Sequence, residues 1–417
     1  MRVVVVGAGV IGLTTAYHLA RDGADVTLLD ARPVGLGASA VNAGWFVPAE
    51  AMPVPGPGLV AQTLRWMLKP DSPVYVRPSL DPRFASFMLR MWRRCNDRDQ
   101  RAGFRAHLRL ALDTARVLDG YRADGMDFEM HADGLLMAFT SAENLAHHVR
   151  NLDLVRENDL DPQVLVGDDV RRHEPLLSDA VHGGIFFPKE RHLDPRALVE
   201  ALHKRLADLG VRILENSPVE GVDARETSGR RRLTAVRTPS GRHEGDAFVL
   251  ATGAWTGELA GLFGRRLPVR PGKGYSIDVP PLPLRSATNL SDAKIAMTPF
   301  SGRLRLAGTM EFAGLDEAVN DVRVGAILRG PQAYLRDWEP PAGPLRPQAG
   351  MRPMTPDGLP AIGPFPGLGN TFVSTGHGML GVTLPAGSAL ALTDLVLNGN
   401  RRPELAPFDP ARFRARF

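Results

Sequence analysis

Four β-branched residues, Val3 to Val6, open the chain as an unbroken apolar run, the pattern of a strand buried on both faces. The run enters Gly7-Ala8-Gly9-Val10-Ile11-Gly12, after which Leu13, Ala16, Tyr17, Leu19 and Ala20 recur at helical spacing. Arg21-Asp22-Gly23 breaks that helix, and Val26-Thr-Leu-Leu-Asp30 reads as a second strand ending in an acid. This order is that of a dinucleotide-binding corner. Gly7 permits the tight turn, Gly9 lets backbone approach a pyrophosphate, and Gly12 lets the helix pack on the strand. The helix N-terminus offers free N–H groups and partial positive charge to the phosphates. Asp30 stands where an acid accepts hydrogen bonds from a ribose.

Further along, the pattern changes several times. Gly35 to Gly44 is a glycine-rich loop of small residues, suited to backbone lying close to a ligand. Eight prolines between residues 46 and 82 predict a long irregular excursion. Phe84, Phe87, Met88, Met91, Trp92 and Cys95 then repeat at helical spacing, as do Phe104, Leu108, Ala111, Leu112, Ala115 and Leu118. Arg90, Arg93 and Arg94 give the first of these helices a solvated basic face. Asp194-Pro195 caps and starts a helix to Asp208, followed by strand at 211–214 and 219–222. Ala247-Phe-Val-Leu250 runs into Ala251-Thr252-Gly253-Ala-Trp255, a second turn from strand to glycine. Residues 265–340 are strand-rich and end at Pro340-Pro341. The expected division puts residues 1–45, 165–262 and 340–417 in a nucleotide-binding part, and 46–164 with 263–339 in a second part.

Composition narrows the field. A chain of 417 residues suits two domains rather than one ordinary core. Its 50 Lys and Arg against 46 Asp and Glu leave a spread charge of +4, so no nucleic-acid partner is expected. One cysteine, Cys95, excludes an intramolecular disulfide and a thiolate metal cluster. Neither paired carboxylates nor a ligand-spaced His/Asp cluster stands out, so no metal site is expected and a hydrolase is disfavoured. His147-His148 is an adjacent pair on a helix, whose side chains diverge. No leader segment precedes the first strand, and no apolar run reaches the roughly 18–20 residues of a membrane span. A cytoplasmic location is expected, with association at the inner face of the membrane left open.

The C-terminal eighty residues hold the second informative constellation. Arg352 in Gly350-Met-Arg352-Pro-Met-Thr-Pro-Asp-Gly-Leu-Pro360 precedes a proline, which holds its backbone extended. A fixed guanidinium suits bidentate capture of a carboxylate. Gly376-His377-Gly378-Met379-Leu380-Gly381-Val-Thr383 follows, and a helix from about Ala386 to Leu397 closes the chain.

With Ser39-Ala-Val-Asn42-Ala-Gly44, Lys273-Gly-Tyr-Ser276 and Leu306-Ala-Gly-Thr-Met-Glu311, these pieces span the chain in order. Together they make it resemble the D-amino acid oxidase superfamily of FAD-dependent amine oxidoreductases, and within it the bacterial D-amino acid dehydrogenases. The resemblance implies an α/β flavoprotein of glutathione-reductase type: a Rossmann-like FAD-binding domain with a mixed-sheet α+β substrate domain. On it, Gly7, Ala8, Gly9, Val10, Ile11 and Gly12 carry the pyrophosphate. Asp30, Ala31 and Arg32 bind the adenosine, with Asp30 standing where many relatives carry Glu. Ser39, Ala40, Asn42, Ala43 and Gly44 line the flavin, Val219 places the adenine, and Ala251, Thr252, Gly253 and Trp255 flank the cofactor. Gly376, His377, Gly378, Met379, Leu380, Gly381 and Thr383 wrap the isoalloxazine, and the following helix points its positive end at it. Arg352 clamps the substrate carboxylate with help from Tyr275, and His377 packs against or hydrogen-bonds flavin or substrate. Lys273 reads either as a group near the flavin or as a surface lysine.

The implied reaction is oxidative deamination of a D-amino acid by hydride transfer from Cα to the flavin, giving an imino and then an oxo acid. Cyclic substrates such as D-proline or hydroxy-D-proline fall within it. A quinone or other acceptor takes the electrons, and peripheral membrane or partner-subunit contact stays open. Residues 46–82, which shape the pocket in relatives, match nothing securely, so the substrate is not fixed. The alternatives are an oxygen-using oxidase of glycine, sarcosine or another small amine, and a flavin-carrying subunit with mainly an assembly role. An NAD-dependent dehydrogenase fits the N-terminal fingerprint alone and leaves Gly376–Gly381 unexplained.

Overall fold

The computed structural model describes residues 1–66, 69, 71–227 and 229–413. The apolar run at the start is a buried central strand, Arg2–Val6. It lies in a six-stranded sheet ordered Arg212–Leu214, Asp25–Leu29, Arg2–Val6, Ala247–Leu250, Thr371–Thr375 and Ala361–Pro364. All pairings are parallel except the last. Alternation sends Val3 and Val5 to one face, where helices Val10–Arg21, Pro195–Asp208 and Pro385–Asn398 share their core. Val4 and Val6 face the other way, with Phe248 and Leu250, onto the antiparallel sheet Gly221–Thr227, Arg230–Thr238 and Gly241–Glu244. The result is a three-layer, doubly covered Rossmann-like unit. Asp194 caps its helix as expected, its carboxylate accepting from the Arg196 N–H at 3.0 Å.

The second body is a mixed nine-stranded sheet. Its main path runs Gln348–Met354, Arg270–Val279, Arg303–Phe312, Ile295–Phe300, Ala287–Leu290, Leu135–Phe139, Gly183–Phe187 and Gln163–Val166. Val74–Val76 adds to the far end of Arg303–Phe312 in parallel. One face of this sheet packs with helix Asp321–Arg329 around Ile277, Leu306, Val324 and Ile327. The strands at 163–166, 183–187 and 348–354 therefore pair in the large sheet, although the sequence division put nearly all of those residues in the nucleotide part. Hydrophobic pattern announces a strand but not which sheet it joins. Residues 46–82 are less irregular than their prolines suggest, since they hold a helix at Leu59–Trp66 and the strand Val74–Val76.

Four histidines are packed in the interior without ion pairs. Burial lowers His18 and His377 to about 3, and His107 and His192 to about 4. Two carboxyls run the other way: burial raises Glu50 to about 7 and Glu190 well above its usual range. The four histidines keep the native state from binding protons that the unfolded chain takes up below about pH 6.5, so their contribution falls as pH drops towards 4. The two glutamates oppose this by binding protons in the native state. At pH 5 the four histidines outweigh the two glutamates, so among these groups the unfolded chain binds more protons and stability rises with pH. Urea unfolding should therefore show stability climbing from pH 5 to 6.5. A flat profile would mean that the histidines are not held neutral.

Candidate active site

Between the two sheets runs one cavity of about 1450 Å³, larger than the roughly 300–1,000 Å³ of an ordinary small-molecule site. Its nucleotide end is made by the glycine turn. Gly7 sits at φ +106°, and a Cβ on Gly12 would lie 1.7 Å from the Gly7 carbonyl oxygen. Only bare backbone lets the helix approach the strand this closely. Ser39 crosses above the turn, its Oγ accepting from the Val10 N–H at 2.9 Å. At the end of the second strand, the Asp30 carboxylate accepts from the Ala8 and Arg32 N–H groups at 2.6 and 2.8 Å. It also lines the cavity. Burial raises its pKa, and those N–H groups pull the other way. Arg32 stacks on Trp255, with 4.4 Å from Cζ to the ring centre, and pairs with Glu317 at 2.9 Å.

The loop Ser39–Gly44 is fixed from below by Arg305, whose side chain is wholly buried. Arg305 pairs with Asp278 and donates to the carbonyls of Ala40 and Asn42 at 3.1 and 2.9 Å. Thr298 Oγ1 donates to Ala43 O and accepts from Trp45 Nε1. Gly44 packs its backbone on Leu193, which donates its N–H to the Gly44 carbonyl.

At the other end of the cavity stands Arg352, on the strand Gln348–Met354. A Cβ on Gly274 would fall 2.0 Å from its Nη1, so the guanidinium lies flat across a strand that only glycine leaves open. Nη1 donates to Thr309 O at 2.7 Å, no carboxylate among the described residues pairs with it, and burial lowers it to about 10. A half-buried cation with no counter-ion among the described residues, beside a cavity, is a site for an anion. Gly378 donates its N–H to Pro353 O at 3.0 Å, which ties the Gly376–Gly381 loop to this strand.

The cavity is bordered by Gly7, Gly9, Val10, Ile11, Asp30, Ala31, Arg32, Ser39, Asn42, Ala43 and Val219. It is bordered also by Ala251, Thr252, Gly253, Trp255, His377, Gly378, Met379, Leu380 and Gly381. The other expected residues act from behind this wall. Ala8 donates to Asp30, Gly12 closes the helix on the strand, and Ala40 anchors Arg305. Gly376 turns the loop at φ +80°, and Thr383 binds the Trp45 carbonyl and the Val47 N–H.

Tyr275 also borders the cavity. It pairs with Gly308, on the face opposite Arg352, and its ring packs among Ile277, Val324 and Ile327. Its hydroxyl lies near Glu311, so burial first and that carboxylate second raise its pKa. His377 differs from a proton carrier: Nε2 bonds Ser388 Oγ at 3.1 Å, and burial keeps the ring neutral. Lys273 is neither at the surface nor beside the flavin loop. It is 3% exposed, pairs with Glu311 at 3.4 Å and holds the Ala318 carbonyl at 2.9 Å. It thereby steadies the segment that carries Glu317 to Arg32.

The sequence reading passed over three polar residues on the cavity wall: Glu50, Asn289 and Lys294. Glu50 sits in the proline-rich stretch and the other two in an ordinary hairpin. No local spacing marks them.

The residues present fit a flavin dinucleotide: a glycine turn that a Cβ would fill, an acid at the end of the second strand, and a cavity running on to a half-buried cation. Replacing Asp30 by Ala leaves the Ala8 and Arg32 N–H groups without their acceptor. We expect this to weaken FAD retention about 10- to 100-fold, at roughly 1–3 kcal/mol, as read from flavin absorbance after dialysis. Full retention would remove Asp30 from the adenosine end.

Residues 2–395 match the family model described as DAO, FAD dependent oxidoreductase. A D-amino acid dehydrogenase of Bradyrhizobium diazoefficiens is 33% identical over 97% of this chain and 96% of its own. One from Cereibacter sphaeroides is 35% identical, covering 98% and 94%. Among solved structures, glycine oxidase from Geobacillus kaustophilus superposes with a TM-score of 0.76 at 24% identity, over 99% of each chain.

Proposed function

This chain belongs to the DAO family of FAD-dependent oxidoreductases, and from that premise we propose that it oxidises D-amino acids to imino acids that water converts to oxo acids. The observation that carries the reading is Arg352, a half-buried guanidinium with no carboxylate partner among the described residues, at the end of the cavity opposite the dinucleotide cradle.

FAD, when bound, supplies a ring that accepts hydride from the substrate Cα. What the chain supplies is orientation. Arg352 takes the α-carboxylate through two parallel N–H bonds while its Nη1 stays anchored on Thr309 O, so the carboxylate has one placement. With one substituent of Cα fixed and the wall of the cavity fixing another, only one enantiomer directs its Cα hydrogen along the productive path. The relatives' shared name favours the D form. Apolar wall from Met52, Val54, Met91 and Met310 excludes water from the reacting carbon. His377, neutral and bonded to Ser388, packs the loop and does not carry the proton. The amine is therefore taken up in its neutral form.

We assign the electrons to a quinone or another redox partner rather than to oxygen, as the relatives' designation as dehydrogenases favours. The test is a visible spectrum of the purified holoprotein, sealed from air, before and after D- and L-amino acids. Bleaching by D but not L substrates supports the reading, and bleaching by L alone or by neither overturns it. Slow recolouring on admitting air supports a non-oxygen acceptor, and immediate recolouring indicates an oxidase.

A further inference from the structure

We propose that Glu50, Asn289 and Lys294 form a side-chain subsite that selects amino acids carrying a neutral hydroxyl or carboxamide group. The proposal rests on the reading that Arg352 holds the substrate carboxylate.

Strand register places the subsite. Asn289 pairs with Ala296, Ala296 with Ala307, and Ala307 with Ser276. Directly paired residues share a face, and so do residues two apart on a strand. Gly274 and Gly272 therefore lie on the same face as Asn289, and so does Arg352, which pairs with Gly272. Lys294, in the turn just before the strand Ile295–Phe300, borders the cavity as well. The floor between the two ends is made of Ala296, Ala307 and Gly274, all lining the cavity. Arg352 reaches Thr309 on the strand Arg303–Phe312, and Asn289 stands two strands further on. Two strand spacings are about 10 Å, the order of length of one amino acid hydrogen-bonded at both ends.

The chemistry of this end is specific. The Asn289 amide donates to both Glu50 oxygens, at 3.3 and 3.1 Å. Lys294 makes no hydrogen bond or ion pair among the described residues, and it does not reach Glu50 within 4 Å, although each feels the other's charge. Burial raises the Glu50 carboxyl, while Lys294 is exposed at its turn and borders the cavity. Asp292 and Glu190 are the neighbouring acids; both are held by backbone N–H groups. A hydroxyl or carboxamide donates to Glu50 and accepts from Lys294 at once. A cationic side chain meets the ammonium, an anionic one meets the carboxylate, and an apolar one makes neither bond.

The experiment compares isosteric pairs on the holoenzyme with an artificial electron acceptor: D-threonine with D-valine, D-asparagine with D-leucine, and 4-hydroxy-D-proline with D-proline. We expect kcat/KM to favour the polar member of at least one pair by about 10–100-fold. In Glu50→Leu and Lys294→Met that ratio should collapse towards one. Arg352→Lys should instead lower both members together and keep the ratio. Equal rates for polar and apolar members in the wild type overturn the subsite, as does a ratio that survives both substitutions. A preference for cationic or anionic side chains overturns it too. If no D-amino acid reduces the flavin, the functional reading fails first and the subsite falls with it.

Discussion

Arg352→Ala is expected to lower kcat/KM by about 10²–10³-fold while leaving the protein yellow. The figure follows from a loss of roughly 2–5 kcal/mol when one partner of a buried, hydrogen-bonded charge pair is removed. The loss should fall on KM and kcat alike, because an unclamped carboxylate both dissociates faster and lets Cα wander from the productive orientation. Discrimination between enantiomers should weaken in the same variant. Arg352→Lys keeps the charge but not the planar fork, so it should recover only part of the loss. Near-normal kinetics in Arg352→Ala would remove it as the clamp and leave the half-buried cation unexplained.

The second large effect is expected at the glycine turn. Gly12→Ala puts a methyl carbon where the Gly7 carbonyl oxygen already lies 1.7 Å away. The obstacle is backbone, which cannot rotate aside, so helix Val10–Arg21 must separate from its strand. Overpacking in a core costs about 1–3 kcal/mol and more where nothing yields, which would consume much of a typical domain's margin. We expect Gly12→Ala to be poorly soluble or flavin-free. Gly9→Ala makes a graded control, since its Cβ meets only Ser39 Oγ at 3.3 Å. That variant should fold with normal circular dichroism and hold less flavin. Stoichiometric flavin in Gly12→Ala would contradict the packing described.

How far the sequence reached depended on whether the relevant chemistry is local. The nucleotide corner was legible because Val3 to Asp30 carries strand, turn, helix and acid within one continuous stretch. The Asp194 cap and the long helices at 82–93 and 97–123 were legible for the same reason. Arg352 was singled out through its proline neighbour and the run around it. Lys273 was misjudged because its partners Glu311 and Asp316 lie far along the chain. Glu50, Asn289 and Lys294 come from separate segments, so only the folded sheet brings them together.

The order of strands in the nucleotide sheet also bears on how the chain is made. The strand Arg2–Val6 is flanked by Asp25–Leu29 on one side. Its other neighbour, Ala247–Leu250, is translated more than half a chain later. That neighbour in turn waits for Thr371–Thr375, close to the C-terminus. Until then Val249 and Leu250 present an open apolar edge with free N–H and C=O groups. Completion of this sheet is therefore a late, non-local event. A nascent chain halted before residue 371 would lack Thr371–Thr375 and leave Ala361–Pro364 unpaired, and would be a client for chaperones rather than a shorter enzyme.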